Sequence, residues 1–130
     1  MRRVDKLTPV EWEIMEAIWN LGGTPSVREV LEHTFSKGEK AYSTVLTMMN
    51  ILEKKGLLSR KKIGLVNFYK PMRSKDQMLK TELSQVVKCL FEDSTSKAVT
   101  YLFNSKNVSL QELEKIKEII SQKERELKDK

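Results

Sequence analysis

The sequence predicts a mostly α-helical protein with one small β-hairpin, divided into an N-terminal module over residues 1–72 and a C-terminal helical module over residues 73–130. Three observations carry this. Ser/Thr-x-x-Glu/Gln tetrads recur along the chain, and each opens a run of apolar residues at helical spacing. Between Gly56 and Pro71 that spacing gives way to two β-rich runs around a glycine. The chain has only five glycines and three prolines while 32% of its residues are charged, a helical rather than an all-β balance.

Each element has its own signal. Thr8-Pro9-Val10-Glu11 is a capping box with proline at the first helical position. Val10, Ile14, Ala17, Ile18 and Leu21 continue it, and Gly22-Gly23 stops it. Ser26-Val27-Arg28-Glu29 opens a short second helix through Val30, Leu31 and Thr34, and the polar loop Ser36 to Lys40 follows. A third helix runs from about Tyr42 to Lys55 and closes at Gly56. The runs from Leu57 and from Leu65 flank Ile63-Gly64, which reads as a two-residue hairpin turn, and Pro71 ends the ladder. Ser74-Lys75-Asp76-Gln77 caps a fourth helix with the stripe Leu79, Leu83, Val86, Val87 and Leu90. The pattern breaks over Asp93 to Ser96. A short helix carries Ala98, Val99, Leu102 and Phe103, and Asn104 to Asn107 reads as a loop. Ser109-Leu110-Gln111-Glu112 opens a last helix with Leu113, Ile116, Ile119, Ile120 and Leu127. Three helices and a hairpin make the winged form of the helix-turn-helix, whose third helix enters the DNA major groove.

Charge agrees with a polyanion partner. Between Lys40 and Arg73 stand eight basic residues against one acid, Glu53, a surplus of seven where the whole chain has +6. At about 100° per residue, Val45, Met48, Met49 and Leu52 form the buried stripe of the third helix, while Ser43, Thr47, Asn50 and Lys54 point the other way. That outward face holds short hydroxyls, an amide and a terminal lysine, with no acid. Such groups reach base edges and phosphates, and asparagine pairs with adenine. Leu46 and Ile51 flank the face. In the hairpin, Arg60, Lys61, Lys62 and Lys70 are placed to contact phosphates, with Phe68 and Tyr69 to pack or stack.

Several classes are excluded by what is scarce. With one histidine, His33, and one cysteine, Cys89, the chain lacks a multi-His metal centre and an intrachain disulfide framework, and no Cys-His or Ser-His-Asp set can be argued. No Gly-rich phosphate loop is present, so the chain is not read as an enzyme and no cofactor is expected. No apolar run spans a bilayer, and the charged start Met1 to Lys6 lacks the apolar core of a signal peptide. The chain therefore reads as a cytoplasmic protein without membrane insertion. His33 reads as a helix-surface residue, Cys89 as a small core residue, and Met48 and Met49 as core.

Residues 7 to 72 resemble the DNA-binding domain of the penicillinase-repressor family (BlaI, MecI and the copper-responsive CopY repressors). The match rests on Leu7-Thr8-Pro9-x-Glu11-x-Glu13-Ile14-Met15, Ile18-Trp19 and Val27-Arg28-Glu29-Val30. It continues through Ala41-Tyr42-Ser43-Thr44-Val45-Leu46-Thr47-Met48-Met49, Leu52-Glu53-Lys54-Lys55-Gly56-Leu57 and Phe68-Tyr69-x-Pro71. The C-terminal half matches more loosely, at Ser109-x-x-Glu112-Leu113. The resemblance implies a homodimeric bacterial repressor on a dyad-symmetric double-stranded DNA operator, controlling β-lactam resistance or a related stress response. It places Tyr42, Ser43, Thr44, Thr47, Asn50, Lys54 and Lys55 on the recognition helix, with Arg60, Lys61 and Lys62 on the wing. Many relatives carry a basic residue where this chain has Ile51.

The apolar stripes need a partner, and a second copy is the simplest one. The interface expected is Leu79, Leu83, Val86, Val87, Leu90, Leu102, Phe103, Leu113, Ile116 and Ile120; the same chain's N-terminal module is the other occupant. In antibiotic-responsive members a membrane-bound sensor protease cuts the repressor at a bond resembling Asn-Phe. Here the aligned bond is Tyr101-Leu102, so the consensus Asn-Phe is missing at that place. The tail from Ser121 to Lys130 has no cysteine cluster of the copper-sensing kind. Two other readings stand beside this one: a winged helix used for protein contact, and a repressor responding to a small molecule held among the C-terminal helices.

Overall fold

The structure, a computed structural model, describes residues 7–129; the charged start at Met1 to Lys6 lies outside the described residues. Its elements run α1 (Pro9–Leu21), α2 (Val27–Thr34), α3 (Tyr42–Lys54), β1 (Leu58–Ile63), β2 (Val66–Pro71), α4 (Lys75–Leu90), α5 (Thr95–Ser105) and α6 (Leu110–Lys128).

The helix starts form where the tetrads stand. The Thr8 hydroxyl accepts from the Glu11 amide at 3.2 Å while Glu11 Oε1 accepts from the Thr8 amide at 2.9 Å. Ser26 and Glu29 repeat this at the head of α2, and Ser74 and Gln77 at the head of α4. Each reciprocal pair satisfies amides that have no partner within the helix. At α6 the Ser109 hydroxyl accepts from the Glu112 amide.

The hairpin pairs β1 with β2 antiparallel, from Leu58 opposite Pro71 to Ile63 opposite Val66. Its two loop residues are therefore Gly64 and Leu65, one position later than the expected Ile63-Gly64. Gly64 has φ of +64°, a conformation open to glycine without a side-chain clash, and glycine leads the primed turns that match strand twist. Ile63 is drawn into the ladder by pairing with Val66. On the other side β2 joins the segment before α2, through a Ser26–Phe68 bridge and the Tyr69 amide donating to Pro25 O at 2.9 Å.

Two compact units result, and the break falls inside α4, after Thr81, rather than at residue 72. The first turns of α4 belong with the winged helix because they are tied to it. Met78 is buried, Trp19 Nε1 donates to the Arg73 carbonyl at 3.0 Å, and Lys75 pairs with Glu16 at 2.6 Å.

The core of the first unit is Ile14, Met15, Ala17, Ile18, Val27, Val30, Phe35, Val45, Met49, Leu52, Leu57, Leu58, Tyr69 and Met78. Met48 is half-buried at its edge, and Leu21 is exposed at the end of α1. In the second unit none of the described residues is buried. Phe91 and Tyr101 meet there with ring centroids 5.5 Å apart. The break after α4 is made by Glu92 and Asp93, both at positive φ. Cys89 is exposed, contrary to the core position expected; its neighbours on α4, Lys88 and Leu90, are exposed with it.

Candidate nucleic-acid interface

The candidate surface is the outward side of α3 together with the hairpin beside it. Val45, Met49 and Leu52 lie fully buried, and this anchors the helix through one face. The opposite face then has to be outward, since residues three and four apart share a side. Ser43, Thr47 and Lys54 are exposed there with Asn50 half-buried; elsewhere on the helix Tyr42, Thr44 and Ile51 are exposed and Leu46 is half-buried. The structure thus brings Ser43, Thr47, Asn50 and Lys54 onto one surface as the spacing required.

Each polar group has a definite state. The Thr47 hydroxyl donates to the Ser43 carbonyl one turn back, at 2.9 Å. Its proton is engaged within the helix, so its lone pairs and methyl are what it offers outward. Asn50 Oδ1 accepts from the Tyr69 hydroxyl at 2.8 Å. The Arg28 guanidinium lies 5.3 Å from the centre of the Tyr42 ring, within cation–π range, and ties α2 to the first turn of α3.

Lys55 is a correction to the expected set. Its Nζ sits 2.9 Å and 3.2 Å from the two Glu11 carboxylate oxygens, and both side chains are largely buried. A lysine head with a buried carboxylate against it fastens the end of α3 to the start of α1. Burial pushes the Glu11 carboxyl up, but the Thr8 amide and Lys55 outweigh this and hold it below its usual 4.5. Lys54, one position earlier, stays exposed.

In the wing, Lys61, Lys62 and Lys70 are exposed. Arg60 is half-exposed, and its Nε lies 3.6 Å from a Glu53 oxygen. Arg60 is also the cross-strand partner of Tyr69. Burial raises the Tyr69 phenol above its usual 10.0, with the adjacent Arg60 opposing. The tip is apolar: Leu65 is 94% exposed, flanked by exposed Ile63 and Val66.

Sequence reasoning missed two of these contacts. Glu11 read as half of a capping box and Tyr69 as an aromatic to pack or stack. Spacing within one helix or strand cannot report partners on another element.

The remaining sites expected from the sequence lie in the later helices. Leu79, Leu83, Leu90, Leu102 and Phe103 are exposed, as is Ile120, while Val86, Val87, Leu113 and Ile116 are half-buried. Tyr101 and Leu102 sit inside α5. Among the described residues no group of three or more His, Cys, Asp or Glu side chains could hold a metal ion, and no helix is long and apolar enough to cross a membrane.

Comparison with known proteins gives the surface a setting. The sequence model of the penicillinase repressor family matches residues 7–122. The transcriptional regulator BlaI of Mycobacterium tuberculosis is 27% identical over 79 residues, which are 61% of this chain and 57% of that protein, so the match spans little more than half of the relative. The methicillin resistance regulatory protein MecI of Staphylococcus aureus is 24% identical over 119 residues, 91% of this chain and 95% of MecI. Among solved structures, the DNA binding domain of the repressor BlaI superposes with a TM-score of 0.50 at 28% identity, covering 58% of this chain and 90% of that one.

Proposed function

Since the chain belongs to the penicillinase repressor family, a family of transcriptional regulators and not of enzymes, we propose that it is a cytoplasmic repressor that binds a dyad-symmetric DNA operator as a homodimer. The observation that carries this reading is the outward face of α3. Ser43, Thr44 and Thr47 stand exposed there, joined by Asn50 and Lys54, with no acid among them. An ordinary solvated helix face carries charges of both signs. A face of short polar side chains beside a lysine-bearing hairpin fits a groove floor edged by phosphates.

The dimer is supported by the second unit. None of its described residues is buried, and Leu83, Leu90, Leu102, Ile119, Ile120 and Leu127 are each more than half exposed. That apolar area is stabilised only when covered, and a second copy supplies a matching face through two-fold symmetry. Half-sites about one helical turn apart, or a multiple, follow from such a dimer.

Control of β-lactam resistance or a related stress response belongs to the same reading, as does relief by a membrane-bound sensor protease. For the latter, the aligned Tyr101-Leu102 bond lies within α5, so that helix has to open before a protease can bind it as an extended strand.

The test is a titration of the full chain against a duplex from upstream of its own gene, beside a shuffled duplex of equal length, at physiological salt. Specific binding exceeds non-specific by about 10³-fold or more, and two protomers per duplex are expected. Equal, weak and salt-sensitive binding to that duplex, its shuffled control and tiled flanking duplexes would reject operator recognition and favour the basic face meeting an acidic protein.

A further inference from the structure

The hairpin decides which part of α3 is left open. With the fully buried Val45 set at 0° and about 100° of turn per residue, the half-buried Glu53, Leu46 and Asn50 fall between about 80° and about 140°. The hairpin holds this side: Arg60 Nε of β1 lies 3.6 Å from a Glu53 oxygen, and Tyr69 of β2 donates to Asn50 Oδ1 at 2.8 Å. The exposed Ser43, Lys54, Thr47, Ile51 and Thr44 run from about 160° to about 260°. The open arc therefore does not stop at the face opposite Val45; it continues past Thr47 to Ile51 and Thr44, and its centre lies between Thr47 and Ile51. Ile51, a flank by spacing alone, stands inside this arc and is 39% exposed.

The two halves of the arc differ in chemistry. Ser43 and Lys54 bring a hydroxyl and an ammonium. Thr44, Thr47 and Ile51, three and four positions apart, share the other side. What that side offers is largely apolar. The Thr47 hydroxyl proton is spent on the Ser43 carbonyl, and the Ile51 side chain has no polar atom. In the major groove the base edges present donors and acceptors with one apolar exception, the C5 methyl of thymine. An aliphatic side chain pressed on any other edge takes water from a polar group and returns no hydrogen bond, which is costly. Against the thymine methyl there is no such cost, and both apolar groups leave water.

We propose that Ile51, beside the Thr47 methyl, is a specificity-determining residue that reads one thymine of each half-site through its C5 methyl group. This rests on the operator-binding reading above. The hairpin contributes to base choice by covering the Asn50 side of α3, and so leaves the Ile51 side free to meet the groove floor.

The experiment takes the site that the full chain selects from a randomised duplex library and replaces its thymines by uracil, one symmetric pair at a time. Uracil pairs as thymine does and lacks only the C5 methyl. Each duplex is titrated with the unmodified chain and with Ile51→Ala, and thermal unfolding of both is followed alongside. At one thymine pair the swap is expected to weaken the unmodified chain about fifteenfold, about fourfold for each methyl lost. Ile51→Ala binds the thymine site more weakly and is indifferent to the swap at that pair, while swaps at other pairs act as before. A merely structural loss would weaken every duplex alike and leave the swap ratio unchanged. Ile51→Gln serves if Ile51→Ala does not fold, and is expected to lose the effect of the methyl in the same way. A selected site with no such thymine pair, or a swap penalty that survives undiminished in the Ile51 variant, overturns the inference and leaves operator binding standing. If the full chain enriches no site, operator binding itself falls and the inference with it.

Discussion

The two units of this chain are built from the same kind of helix yet stand in opposite energetic positions. Residues up to Thr81 hold every buried side chain of the described protein; residues from Glu82 onward hold none. Capping and amphipathic spacing are equally good in both, as Ser26 at the head of α2 and Ser109 at the head of α6 show. The difference lies in closure. In the first unit the stripes of α1, α2 and α3 converge, and Tyr69 from the hairpin completes the core. In the second, α5 and α6 bury nothing of their own. Good helix signals thus report local structure but not whether a stripe has found its cover, because helices in proteins draw most of their stability from packing.

Four measurements can break or sharpen this contrast. The largest effect is expected from Ile14→Ala, at the centre of the closed core. It should lower the unfolding free energy by about 2–5 kcal/mol in a urea titration. A loss under 1 kcal/mol would mean that the first unit is less tightly closed than its burial implies. Leu83→Asp tests the open unit: sedimentation should give the mass of one chain, 15.1 kDa, in place of a dimer. A dimer of undiminished mass would remove Leu83 from the interface. Thr47→Ala takes away the outward methyl and oxygen of the recognition face while leaving the core intact. It is expected to weaken operator binding by about 1–3 kcal/mol and random-duplex binding far less; equal losses would exclude base reading by Thr47.

The smallest effect concerns the Glu11–Lys55 clasp. The folded Glu11 carboxyl titrates below its usual 4.5, so its contribution is present above that pH and is lost as the pH falls through the folded value. Glu11→Gln should cost about 1.5 kcal/mol at neutral pH, the scale of a charged hydrogen bond. The gap to the unmodified chain should then close on acidification below pH 4.5 in parallel denaturant titrations. A gap constant with pH would show that the ion pair is not its source.

Much of the candidate surface was legible before any coordinates. Rotation at the helical period put Val45, Met49 and Leu52 inside and Ser43, Thr47 and Lys54 outside, and each side is where burial finds it. Where a residue's state depended on another element, the reading slipped. Lys55 looked like a phosphate contact because it follows Lys54, but Glu11 is its partner. Cys89 looked like core because its helix is striped, yet it is exposed. The hairpin turn moved by one residue because Ile63 pairs with Val66, a choice made by the ladder and not by the glycine alone.

Helix starts, the faces of each helix, the glycine-led hairpin and the concentration of positive charge between Lys40 and Arg73 were determined by the sequence itself. They depend on residues within a turn or two of one another, and local sterics and hydrogen bonding act over that range. The clasp of Glu11 by Lys55, 44 positions on, and the hold of Tyr69 on Asn50, 19 positions back, were decided only by tertiary structure. No periodicity encodes such pairings. They arise when packing of the core brings distant polar groups together out of water, where an unpartnered donor or acceptor is costly, and the surviving arrangement is the one in which each finds its complement.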